Sequence, residues 1–105
     1  MANTDEVAPA VYIISVVNYD EYLIRFATLS REKSLELFEV VRKECMDEAE
    51  DSIKFCDEEG LSDDNRCWAD DYRKELLQYK DDLSKMKPGD IIRGDRPNID
   101  KIALV

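Results

Sequence analysis

The chain has 105 residues, 44% hydrophobic and 38% charged, with 25 acids against 15 bases and no histidine, for a formal net charge of −10. That length supports one domain with a single core. The acidic balance disfavours direct contact with nucleic-acid backbones or anionic membranes, which need clustered lysine and arginine. The absence of histidine removes the commonest general base and the usual pH switch. No apolar run approaches the ~18 residues of a membrane span. Residues 1–6 lack the basic start and apolar stretch of a secretory signal. Three cysteines, an odd number, are expected to be free thiols in a reducing, cytoplasmic setting.

Residues 1–9 are polar, end in Ala8-Pro9, and read as a flexible leader to a single α+β domain over 10–105. From Ala10 to Val17 the β-branched and aromatic residues Val11, Tyr12, Ile13, Ile14, Val16 and Val17 predict a strand. It is apolar on both faces, which suits a central strand or an interface. Asn18-Tyr19-Asp20-Glu21 reads as a four-residue hairpin loop. Tyr22 to Thr28 then alternates, with Tyr22, Ile24, Phe26 and Thr28 on one face.

Ser30 is placed to cap a helix. Leu35, Phe38, Val41, Cys45, Ala49, Ile53 and Cys56 follow at intervals of three or four, one face of a helix of about 27 residues, ~40 Å long. Gly60 is expected to end it in the left-handed conformation, with Leu61 folding back on the last turn. Ser62 is expected to cap a second helix, whose stripe is Trp68, Tyr72, Leu76, Tyr79, Leu83 and Met86. Pro88-Gly89 ends it. Asp90–Arg93 and Ile99–Val105 read as two short strands around a turn at Gly94–Asn98. The order is ββααββ: a small antiparallel sheet from both chain ends, packed on the base of a long antiparallel helical hairpin. The helices outrun the sheet, so their distal turns should project.

Those distal turns hold the charge. Between Glu44 and Asp71 stand twelve acids and two bases, Lys54 and Arg66, so the rest of the chain sums to zero. The acids expected to meet a partner are Glu48, Asp51, Glu58, Glu59, Asp63, Asp64, Asp70 and Asp71. A rod of carboxylates complements a basic protein groove that otherwise receives nucleic-acid phosphates. A plainly solvated face accounts for the same residues.

The chemistry of catalysis is missing. Adjacent aspartates such as Asp70-Asp71 diverge by about 100° on a helix and do not form an acid/base pair. The serines have no histidine base, and the three glycines make no phosphate loop. Cys56 and Cys67 flank the inter-helix turn and could face each other as a redox pair, whereas small apolar core residues is the plainer reading. No enzyme activity, cofactor or metal site is expected. The one locally basic cluster, Arg93, Arg96 and Asn98 with Lys101, could line a pocket with Tyr or Trp of a neighbouring subunit for a phosphorylated ligand, or simply balance Asp90, Asp95 and Asp100.

In type and composition, a small acidic histidine-free domain resembles phage-encoded inhibitors of host defence, nucleic-acid mimics and bacterial immunity proteins. That resemblance implies a non-enzymatic inhibitor acting on a basic, nucleic-acid-binding host protein. The alternative is an oligomeric sponge that sequesters a nucleotide-type signal at subunit interfaces.

Overall fold

A computed structural model describes residues 9–104; the polar segment read as a leader lies outside them apart from Pro9. The chain runs β1 (Ala10–Val17), β2 (Tyr22–Thr28), α1 (Arg31–Glu59), α2 (Arg66–Lys85) and β3 (Arg96–Ala103). Both ends of the chain contribute to one antiparallel sheet of order β2-β1-β3, and the fold is α+β. The apolar first strand takes the centre. Asn18 builds the hairpin loop: its Oδ1 accepts from the backbone N–H groups of Asp20 and Glu21, at 3.1 and 2.9 Å.

Strict alternation on β2 does not hold. Ile14 pairs with Phe26 but Ser15 pairs with Ile24, so Arg25 is the extra residue of a β-bulge. The phase reverses there. Phe26 stays on the helix side with Ile14, Val16 and Ile99, while Tyr22 and Ile24 fall on the outer face with Ser15 and Val17.

Ser30 caps α1 as expected, its hydroxyl accepting from the Lys33 N–H at 3.1 Å. The buried face of α1 is Ser34, Phe38, Val41, Cys45, Ala49, Ile53 and Cys56; Leu35 points outward, and Ser34 takes its place. At the far end Gly60 is right-handed (φ −68°), and Leu61 is 83% exposed. The reason is that Gly60, Leu61 and Ser62 continue to bond back to Cys56, Glu58 and Glu59. The chain tightens instead of reversing, and no left-handed residue is needed. A side chain at Gly60 would meet the Cys56 carbonyl at 3.0 Å, so the glycine serves close approach. The turn therefore runs to Asn65, which takes the cap position assigned to Ser62.

The segment Asp90–Arg93 is not a strand, and β3 starts at Arg96, inside the expected turn. Pro97 pairs with Val16 on this edge strand, where a missing N–H is tolerated. Gly89 (φ +95°) and Gly94 (φ +100°) bracket the connection, and Ile92 alone of its two isoleucines packs on the core. A Cβ at Gly94 would stand only 3.1 Å from the Tyr79 ring.

The core falls into two clusters. Ile14, Phe38, Val41, Cys45, Leu83 and Met86 join the sheet to the helices, while Ile53, Cys56, Ala69 and Leu76 join the helices farther out. The molecule measures 69 × 22 × 18 Å, so the hairpin projects well past the sheet. Arg42 ties the base together. Its guanidinium donates to the Leu83 carbonyl and, at 2.7 Å, to the Met86 carbonyl, while Glu39 holds its Nε at 2.8 Å. These are carbonyls that the end of α2 leaves without helical donors.

Candidate functional site

The distal half of the hairpin, residues 50–75, carries ten carboxylates against four bases, a net −6. Each helix keeps a narrow apolar seam toward the other and turns everything else to solvent. On α2 the seam is Ala69, Leu76 and Leu83. Trp68 and Tyr72, expected in the stripe, are 42% and 43% exposed. Ala69 takes the contact because the helices meet closely there: its Cβ lies only 3.7 Å from where a Gly60 Cβ would be. Trp68 is left at the side of the hairpin with Phe55, ring centroids 6.3 Å apart. Its indole N–H donates to Asn65 Oδ1, while Asn65 Nδ2 donates to Glu59, both at 3.0 Å. Asn65 thereby clamps the tip, at the expense of its own capping bond.

Folding divides the twelve acids into two groups. Glu44 holds Arg25 through both oxygens, Asp47 meets Lys43, Asp57 meets Arg73 at 2.7 Å, and Glu50 pairs with Lys80. Of the residues expected to meet a partner, Asp63 is paired with Arg66 and Glu59 with Asn65. Among the described residues, Glu48, Asp51, Glu58, Asp64, Asp70 and Asp71 have no ion pair, and all six are exposed. The cross-hairpin pairs reveal what a linear charge count misses: bases of α2 beyond Asp71 fold back onto α1. Both pairs have residue 65 as their midpoint, a symmetry that pairing acids with bases across trial turn positions would have exposed.

The same midpoint separates the cysteines. With the turn centred on residue 65 instead of residue 61, Cys67 no longer sits opposite Cys56. All three thiols are free, Cys45 and Cys56 buried and Cys67 exposed. Burial pushes the Cys45 thiol up to about 11, against a lowering contact from Tyr79, and raises that of Cys56. A thiolate is the reacting form, so at neutral pH a maleimide should modify one thiol per chain quickly, with the other two reacting only after denaturation. Mass spectrometry of the labelled protein reads this directly; two fast sites would contradict the packing.

Two cavities border the hairpin. The larger, about 340 Å³, is lined by Tyr72, Glu75, Leu76, Gln78, Tyr79, Asp82 and Arg93. Tyr79 is fixed there by donating its hydroxyl to the Asp95 carbonyl at 2.5 Å, and its burial raises its pKa. Arg93 lines this cavity beside tyrosines of its own chain, whereas the sequence reading sets it with Arg96 and Asn98 against the aromatic face of a neighbouring subunit. Arg96 and Asn98 pair with Val17 and Ser15 on the outer face of the sheet, the face that the helices do not cover. The smaller cavity, about 170 Å³, lies between the β-hairpin and α1, with Glu44 and Arg25 on its wall. Among the described residues no three acidic or cysteine side chains converge as a metal site would require, and no helix is long and apolar enough to cross a membrane.

No family model matches the chain. No curated protein and no solved structure shows significant similarity to it either.

Proposed function

We propose that this is a non-enzymatic interaction protein of the inhibitor or immunity type, whose acidic helical hairpin occupies a basic, nucleic-acid-binding surface of a target protein. The observation that carries the reading is the projection of a net −6 distal hairpin from a body whose far more numerous other residues share the remaining −4. Six of the twelve carboxylates, most of them at that tip, have neither an ion pair nor a side-chain hydrogen bond among the described residues and sit on or between the two helices. A row of charge carried on two helices accelerates encounter with a basic groove. The exposed Phe55 and Trp68 rings supply the apolar contact that such a docking needs at its centre. Immobilised protein should retain a basic nucleic-acid-binding protein from host lysate at about 50 mM NaCl and release it at about 500 mM, where the Debye length has shrunk to a few ångströms. Retention that ignores salt, or of no basic protein at all, overturns the proposal.

One observation favours a second reading, capture of a nucleotide-type ligand. The 340 Å³ cavity combines Arg93 with the Tyr72 and Tyr79 rings, a guanidinium and stacking faces in one place. A panel of mono- and cyclic nucleotides should then raise the melting temperature of the wild type but not of Arg93→Ala. A flat response across the panel removes this reading.

A further inference from the structure

We infer that the outer face of the sheet is a docking surface for a second copy of this chain. An antiparallel sheet with one face in water normally turns polar residues toward it. Here the central strand turns out Val11, Ile13 and Val17, and its neighbours add Ile24 and Ile102, which are 58% and 50% exposed. No element among the described residues lies over this face. Contiguous apolar surface of this kind marks an interface on a monomeric fold.

The pattern on β3 selects a second copy as the occupant. Arg96, Asn98 and Asp100 point outward in succession. A two-fold axis crossing the strands at the level of Ser15 and Asn98 lays β3 antiparallel on its copy. Arg96 then faces the second copy's Asp100, and Asp100 faces the second copy's Arg96, while Ile24 meets Ile24. The same row contains Ser15, fully buried with no partner for its hydroxyl. The Tyr22 ring reaches across β1 to donate to Asp100 at 2.5 Å and roofs it. The surface is thus self-complementary in charge, as an isologous contact requires.

Electrostatics favour the same arrangement. Two chains of −10 repel, but this face carries one arginine against one aspartate. Packing sheet on sheet places two sheet layers between the helical hairpins. At about 10 Å per layer contact, that separates them by roughly three Debye lengths at 0.1 M salt. Strands of eight, seven and eight residues span about 360 Å², against roughly 800 Å² per partner in a standard interface. The dimer is therefore of modest affinity, and its formation depends on concentration.

Sedimentation velocity over a wide concentration series tests this. The wild type should move from monomer toward dimer as concentration rises, and Ile24→Lys should weaken association at least tenfold. Arg96→Asp should weaken it too, because two carboxylates would then oppose each other across the axis. Adding Asp100→Arg to that variant should restore it, since opposite charges face each other again. Circular dichroism confirms that each variant is folded, which is expected for substitutions at an exposed face. A wild type that stays monomeric throughout overturns the inference, and so does a dimer indifferent to Ile24→Lys.

Discussion

Arg42→Ala should lower stability by about 3 kcal/mol, measured by chemical denaturation, and lower the melting temperature by roughly 15 °C for a chain of this size. The side chain is only 14% exposed, so solvent cannot replace what it does. It supplies charge-assisted hydrogen bonds to the carbonyls of Leu83 and Met86, and its guanidinium lies 5.1 Å from the centre of the Phe38 ring. Removing it leaves two polar groups beside the core without donors. Arg42→Lys keeps the charge but not the fork, so it should recover less than half of the loss. Arg25→Ala breaks a bidentate pair with Glu44 that is a third or more exposed on both sides and should cost under about 1 kcal/mol. If the two alanine variants melt together, Arg42 is not the clamp described.

Replacing Asp63, Asp64, Asp70 and Asp71 by lysine should abolish capture of the basic target while leaving the fold intact. The change turns the distal half from −6 to +2. Steering that raises association rates by about 10–10³-fold would be reversed into repulsion, and the salt dependence of retention should vanish with it. All four side chains are exposed, and only Asp63 has an ion pair to lose. The melting temperature should therefore move by only a few degrees, as ~1 kcal/mol or less implies. A folded variant that still captures the target would place the contact elsewhere and sink the acidic-hairpin reading.

Much of the fold was readable because local signals agreed with tertiary ones. Ser30 caps where a hydroxyl and a following apolar period coincide, and the α1 seam from Phe38 to Cys56 keeps its spacing throughout. The misreadings share a cause: each depends on a partner that linear order does not reveal. The bulge at Arg25 follows from pairing β2 to β1, and nothing within Tyr22–Thr28 announces it. Gly60 looks like a left-handed cap until its N–H is seen still bonded back to the Cys56 carbonyl. Ser62 looks like the cap of α2, but the backbone bonds of Gly60, Leu61 and Ser62 extend the turn and leave that position to Asn65. Asp90–Arg93 has strand-like isoleucines, but β3 already fills the position beside β1. Of the candidate site, the acids were legible as a set. Which of them remain free was not, because Arg73 and Lys80 neutralise from the other helix.

The two separate apolar clusters imply that this molecule does not open all at once. The outer cluster is four residues, one of them an alanine, and it is not backed by the sheet. Its share of the buried apolar surface is small, so the last turns of the hairpin can separate at a free energy well below that of global unfolding. Like charge gathered along those turns favours the separation. Contact with a cationic surface would remove that repulsion and reward closure of the helices at the same moment. Binding at the tip would then be registered as closure of the outer turns, while the cluster at the base stays as it is.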